Sequence, residues 1–260
     1  MHIALVQLDI ENLQPMENRA RVRQLIQDAF LPDRTMVVLP ELFSTGMLPE
    51  AFDFEAMMEI GHQDIEFMGE LAREASIYLL GSALGFEGTR LVNTSLLFDP
   101  GGTLLGEYRK IHPFSLGGED RIFQSGENIV TWEVEGFALQ PTICYDLRFP
   151  ELYRAGMKRG ATMMTVQANW PEARQAHWET LLRARAIENQ ACVIGVNCVG
   201  IQQGLRYGGG SKILSPKGEI VAEAGNEEGI LIADFSSSSI ESWRRTFPAL
   251  RDRKPDGFWT

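Results

Sequence analysis

The order of apolar segments predicts an α/β protein whose β-sheets carry helices on their outer faces. Two observations lead there. In both halves of the chain, short apolar runs alternate with longer segments of helical periodicity. Several runs also follow one another across tight turn residues, as strands of a hairpin do. A simple doubly wound sheet would give only the first pattern.

Taken in order, His2 to Asp9 is an apolar first strand, and Pro15 to Phe30 is a helix with Val22, Leu25, Ile26 and Phe30 spaced for one face. Thr35 to Leu39 is apolar throughout, as a strand buried on both sides must be. A helix over Phe54 to Ala75 and a strand over Ile77 to Ala83 follow. Leu91 to Phe98 is a strand closed by the turn Asp99-Pro100-Gly101-Gly102, with Thr103 to Tyr108 as its partner. The second half repeats this alternation, with strands over Ile129 to Val134 and Phe137 to Cys144, a helix from Glu151 to Arg159, and a strand over Thr162 to Gln167. A long helix, Arg174 to Asn189, carries Trp178, Leu181, Leu182 and Ile187. Cys192 to Val199, Ser211 to Leu214, Glu219 to Ala224 and Gly229 to Phe235 complete the strands. Ser236 to Ser239 reads as a solvated turn. The tail that follows bears Trp243, Phe247, Phe258 and Trp259 among charges, as an arm packing on the body or on a second subunit would.

No composition shift marks an internal boundary, so one domain over residues 1–260 is expected, with 236–260 as its C-terminal arm. Hydrophobic residues make up 44% of the chain, enough for a substantial core. The net charge of −11 argues against nucleic acid or an anionic membrane as partner, because both need clustered positive charge. No apolar run approaches the roughly 18 residues of a membrane span. Three cysteines, Cys144, Cys192 and Cys198, form no metal-ligand spacing, and so sparse a set fits a reducing compartment. With a strand starting at His2 there is no room for a secretion signal, and a cytoplasmic protein is expected. Gly208-Gly209-Gly210-Ser211-Lys212 lacks the spacing of a phosphate loop and opens a strand rather than a helix.

Three chemistry-bearing residues stand at strand ends. Cys144 lies where a strand turns sharply into a segment led by Phe149 and Pro150, and Pro150 suits the first helical position. Backbone N–H groups point outward at such a corner and can favour a thiolate. Glu41, in Leu39-Pro40-Glu41-Leu42-Phe43, closes a buried strand, where desolvation raises a carboxylate toward the range a general base needs. Lys110, in Tyr108-Arg109-Lys110-Ile111-His112-Pro113-Phe114, follows a strand and offers a compact charge to a developing oxyanion. Nucleophile, base and electrostatic stabiliser are the roles acyl transfer through a thioester requires. Among the histidines, His112 and His177 remain possible bases, while His2 and His62 read as structural.

The segments Pro40-Glu41-Leu42, Tyr108-Arg109-Lys110-Ile111-His112 and Ile143 to Pro150 closely resemble the three signatures of the nitrilase superfamily of carbon–nitrogen hydrolases, in the right order. Leu96 to Gly102, Asn169-Trp170-Pro171 and Arg183 to Asn189 add to a resemblance running from the first strand to about Phe235. It implies an αββα sandwich that assembles as αββααββα dimers or higher homo-oligomers, with no cofactor and no metal. It also implies a Glu41–Lys110–Cys144 triad, with Glu119 at the place of a second glutamate and the Tyr145 backbone N–H sharing the oxyanion with Lys110. Cys144 to Pro150, with Ala168 to Pro171 and His177-Trp178, is most like the ω-amidase branch, whose substrates are ω-amides of 2-oxo dicarboxylates. On that reading Arg148 clamps the substrate carboxylate, unless it pairs with Asp146 or Glu151, and Phe43 and Trp170 shape the pocket. Deaminated glutathione, N-carbamoyl amines or nitriles are the alternative substrates, decided by Phe114 to Phe123 and the residues after Trp170. A catalytically idle binding protein of the same fold is the reading from another class.

Overall fold

The computed structural model describes residues 1–255. Its elements are β1 (His2–Gln7), α1 (Pro15–Asp28), β2 (Met36–Val38), α2 (Phe54–Glu74), β3 (Tyr78–Glu87), β4 (Arg90–Phe98), β5 (Leu104–Arg109) and α3 (Glu119–Ile122). These are followed by β6 (Trp132–Val134), β7 (Phe137–Ile143), α4 (Pro150–Lys158), β8 (Met163–Ala168), α5 (Gln175–Asn189), β9 (Cys192–Asn197), β10 (Val199–Gln202) and β11 (Leu205–Gly208). The last are β12 (Lys212–Leu214), β13 (Ile220–Glu223), β14 (Gly229–Asp234) and α6 (Ser237–Thr246).

Two six-stranded sheets result, in the orders β14-β1-β2-β3-β4-β5 and β13-β12-β9-β8-β7-β6. Each has a parallel centre, β1-β2-β3 and β7-β8-β9, flanked by antiparallel strands. Both signals in the sequence therefore have a cause: the helices are the crossovers of the parallel centres, and the hairpins are the antiparallel margins.

Side chains alternate along each strand, and here both faces are apolar. Ile3, Leu5, Met36, Val38, Leu80 and Leu97 point from the first sheet into a layer shared with Val134, Leu139, Met163, Ile194 and Ile213 of the second. The opposite faces are covered separately. Ala4, Val6, Val37 and Leu79 pack against Val22 and Ile26 of α1 and Met68 and Leu71 of α2. Met164, Val166 and Val193 pack against Tyr153 and Met157 of α4 and Trp178, Leu182 and Ala186 of α5. This is the four-layer αββα order that the resemblance implied. The fit of α5 on its sheet needs Gly195, because a Cβ there would lie 2.6 Å from the Leu182 side chain.

Four expectations are corrected. Phe30 falls after α1 at φ 48° and is 90% exposed, so of the four apolar residues spaced for one face only Val22 and Ile26 are buried. Ile187 lies on the outer side of α5 and is 51% exposed. The strand expected over Cys192 to Val199 ends at Asn197, and Val199–Gln202 instead pairs with Leu205–Gly208 in a separate hairpin. Gln203 and Gly204, at φ 48° and 79°, make the two-residue turn, which needs positive φ at both positions. Ser237 to Ser239 open α6 instead of forming a solvated turn; Ile240 is buried between the sheets, and Arg244 donates to the Gln190, Ala161 and Asn189 carbonyls. Phe258 and Trp259 lie outside the described residues. No helix among the described residues is long and apolar enough to cross a membrane.

Asp64 of α2 is fully buried, receiving hydrogen bonds from Arg19 Nε at 2.8 Å and Ser44 Oγ at 2.5 Å. Burial outweighs both partners and pushes its carboxyl up to about 6 from a usual 3.8. The folded state therefore holds a proton the unfolded chain has already lost, and this contribution to stability disappears as pH rises through 6. Relative to wild type, Asp64→Asn should gain about 3 kcal/mol of unfolding free energy between roughly pH 4 and pH 7, read from urea midpoints. A pH-independent difference would contradict the assignment.

Candidate active site

The site forms where strands from both sheets end. Glu41 comes three residues after β2, Lys110 directly follows β5, Cys144 directly follows β7, and Asn169 directly follows β8. Carboxyl ends of strands in α/β sheets are where loops leave room for a ligand. Gln167 of β8 ties the sheets together at this end, donating to the Leu39 carbonyl at 3.1 Å and accepting from Ser95 of β4.

Glu41 is fully buried and Lys110 is 1% exposed. Lys110 Nζ donates to Glu41 Oε1 at 2.7 Å and to Glu119 Oε2 at 2.6 Å. Glu119 opens α3, is also buried, and accepts from the Phe114 N–H at 3.0 Å. Glu41 is held further by Asn93 Nδ2 at 2.9 Å and the Asn169 N–H at 3.0 Å, while Asn169 Nδ2 donates to the Glu41 carbonyl at 3.0 Å. Asn93 is fixed by Ser82 Oγ at 2.7 Å, and Ser82 Oγ in turn accepts from the Leu42 N–H at 3.1 Å.

Cys144 begins a 3₁₀ turn, Cys144–Arg148, with φ 45°. Leu42, beside the glutamate, has φ 43°. Such values cost a side-chain-bearing residue on the order of 1–3 kcal/mol and persist only where surroundings over-determine them. At Cys144 the determinant is Asp146. Its buried carboxylate accepts from the Ile143 N–H at 3.0 Å, Tyr108 Oη at 2.7 Å and the His112 N–H at 3.0 Å, and lies 2.8 Å from His112 Nδ1. His112 stacks on Phe149 with ring centroids 3.7 Å apart. One carboxylate thus joins the cysteine corner to the lysine segment.

The electrostatics differ in one respect from the sequence expectation. Burial, and then the charge of Glu41, push the Cys144 thiol well above the ordinary range, so the corner does not yield a resting thiolate. Burial also raises Glu41, with Lys110 opposing it. Burial alone would pull Lys110 down, but Glu119 and Glu41 outweigh it and hold the ammonium well above a usual lysine. At neutral pH the site is a thiol, an ammonium and its two acidic partners.

Cys144, Glu119, Tyr145, Arg148 and Trp170 share one pocket. Arg148 makes no ion pair with Asp146 or Glu151 among the described residues; its Nη1 lies 3.3 Å from His177 Nδ1, and its guanidinium stacks 4.7 Å from the Trp170 ring centroid. Phe43 stands apart, fully buried in the core and stacked on Phe67 at 6.0 Å, so it does not wall the pocket as expected. The wall includes Gln202, Gln203, Leu205 and Tyr207 of the β10–β11 hairpin, which the strand pattern did not reveal. Asn93 also went unnoticed, although an amide in the apolar run Leu91 to Phe98 is itself a signal, because a buried amide must find partners.

A fold of two helix-covered sheets with Glu41, Lys110 and Cys144 meeting at their strand ends defines a hydrolase of the nitrilase type. The chain belongs to the carbon–nitrogen hydrolase family, whose profile matches residues 2–245. It is 34% identical to a 2-oxoglutaramate amidase of Paenarthrobacter nicotinovorans, over 98% of this chain and 90% of that one. It is 36% identical to the ω-amidase YafV of Escherichia coli K12, over 87% of each. Among solved structures, XC1258 of Xanthomonas campestris, a CN-hydrolase superfamily protein with an arsenic adduct in its active site, matches with a TM-score of 0.89. That pair is 30% identical over 98% of this chain and 97% of the other.

Replacing Asp146 by Ala would leave three backbone and side-chain donors without their acceptor in a buried setting. The expected loss is about 3 kcal/mol of unfolding free energy, measured by urea denaturation. A loss below about 1 kcal/mol would show that the corner is held by something else.

Proposed function

We propose that this carbon–nitrogen hydrolase is a cysteine amidase acting on ω-amides of 2-oxo dicarboxylates, 2-oxoglutaramate and 2-oxosuccinamate, through a thioester. The carrying observation is the buried Glu41–Lys110–Glu119 cluster beside Cys144: Glu119 and Cys144 line one pocket, and the charges of Glu41 and Lys110 both act on the Cys144 thiol. The substrate class draws support from the relatives named for 2-oxoglutaramate and ω-amide hydrolysis, and from Arg148, a cation in that pocket with no carboxylate partner among the described residues.

In the proposed reaction Glu41 takes the Cys144 proton as Sγ attacks the amide carbon. Negative charge then moves to the carbonyl oxygen. Two of the three Lys110 N–H bonds are engaged by Glu41 and Glu119, leaving one for this oxygen. The Tyr145 N–H, in the first turn after the corner, is of the kind that lacks an intrahelical acceptor and is a second donor. Glu41 returns the proton to the nitrogen, the C–N bond breaks and ammonia leaves. Water then gives its proton to Glu41 and its oxygen to the thioester carbon; the proton passes to Sγ as the acid departs. The site's charge is relocated, never increased, which suits a buried setting.

A homodimer or higher homo-oligomer is the assembly we propose on the family resemblance, and the cytoplasm the location we propose on the sparse cysteines; light scattering and fractionation test the two.

Ammonia release from 2-oxoglutaramate, with glutamine and an aliphatic nitrile alongside, tests the reading. Wild type should act on the 2-oxo amide, and Cys144→Ala should retain less than about 10⁻⁴ of that rate with unchanged stability. Activity confined to other amides or nitriles would overturn the substrate, and no turnover at all would leave the idle binding protein. Because Glu41 must be ionised to accept the proton, kcat/KM should fall with decreasing pH at a midpoint above the usual glutamate value of about 4.3. A midpoint at or below that value would count against Glu41 as the base.

A further inference from the structure

The pocket holds a second cation with no role in the reaction above. Arg174, at the end of the short turn preceding α5, places its guanidinium 5.4 Å from the centroid of the Phe114 ring. Arg148 lies 5.8 Å from the centroid of the Tyr145 ring, and the Phe114 and Tyr145 rings are themselves 4.8 Å apart. The two guanidinium groups therefore lie against one pair of adjacent aromatic rings, inclined at 55° to each other, and both arginines line the pocket that contains Cys144. Neither has a carboxylate within ion-pair distance among the described residues. Glu172, two residues from Arg174, is turned instead toward Arg206 at 3.7 Å.

Two like charges beside one apolar surface repel, and stacking leaves N–H edges of each guanidinium open, apart from the Arg148 Nη1 that lies 3.3 Å from His177 Nδ1. Such a pair relaxes around an anion that presents acceptors to both. A carboxylate satisfies Arg148 alone by a bidentate contact. The second cation calls for another acceptor close to that carboxylate, and a 2-oxo acid carries one on the adjacent carbon.

We propose that Arg174 binds the 2-oxo oxygen of the substrate and is the residue by which this enzyme selects 2-oxo amides over 2-amino amides. The inference rests on the substrate reading given above. A 2-amino amide such as glutamine brings an ammonium to the same place, where it meets a guanidinium in a partly desolvated pocket. Selectivity then comes as much from rejecting that ammonium as from holding the oxo oxygen. Arg174 follows Trp170 in the stretch that the sequence marked as deciding the substrate, and Arg148 positions the carboxylate for either kind of amide.

The test is kcat/KM on 2-oxoglutaramate, glutaramate (the same chain without the oxo group), glutamine and butyramide, for wild type, Arg148→Ala, Arg174→Ala and Arg174→Gln. In Arg174→Ala the preference for 2-oxoglutaramate over glutaramate should fall about 10–100-fold, chiefly through KM. Its preference for 2-oxoglutaramate over glutamine should fall at least as far. Arg174→Gln, which keeps donors without the charge, should recover part of the first ratio but little of the second. Arg148→Ala should weaken 2-oxoglutaramate and glutaramate alike. Equal losses on 2-oxoglutaramate and glutaramate in Arg174→Ala would overturn the inference while leaving the substrate class standing. A wild type that handles butyramide better than every carboxylate-bearing amide would overturn the substrate class itself.

Discussion

A buried ammonium between two buried acids is the constraint on which the rest of the site depends. Removing Lys110, Glu41 and Glu119 from water costs several kcal/mol per ion before their attraction is counted. The cluster holds because each partner has a fixed hydrogen-bond position: Asn93 and the Asn169 N–H on Glu41, the Phe114 N–H on Glu119. Pairing alone would neutralise the lysine's usefulness. With two acids and three N–H bonds, however, the ammonium is anchored and keeps the donor that the proposed reaction assigns to the developing oxyanion.

Both sheets must supply this arrangement together. Glu41, Lys110 and Asn93 belong to the first sheet or its loops, Cys144 and Asn169 to the second. The inner apolar layer and the Gln167 bridge hold the two sheets in register, so the placement of Cys144 relative to Glu41, the proposed nucleophile and base, depends on sheet packing. Strain at Leu42 and Cys144 follows from the same demand, since each strand must turn abruptly to present its residue at the shared edge. Asp146 then links the cysteine corner to the lysine segment across an otherwise apolar region.

Much of this was legible in the residues themselves. Continuous apolar runs such as Thr35 to Leu39 announced buried strands, and the three signature segments located Glu41, Lys110 and Cys144 in order. Periodicity failed where a residue's neighbours decide its fate: Phe30 had the right spacing but sits past the end of α1, and Phe43 had the right character for a pocket but faces the core. The β10–β11 hairpin escaped because its strands are only four residues long, with Gln203-Gly204 rather than a familiar turn pair between them. The expected thiolate at Cys144 failed for an electrostatic reason. A turn's N–H groups favour charge, but burial beside a carboxylate disfavours it more strongly, and burial depends on the whole fold.

The proposed reaction turns on Cys144 keeping its proton until Glu41 takes it during attack. This is tested most directly by the ultraviolet absorbance of the thiolate, followed from about pH 5 to about pH 10 as the difference between wild type and Cys144→Ala. No thiolate signal is expected near neutrality, and any rise should be displaced above the ordinary thiol value of about 8.5. A signal half-developed at or below about pH 7 would mean a resting thiolate, and would contradict the role assigned to Glu41.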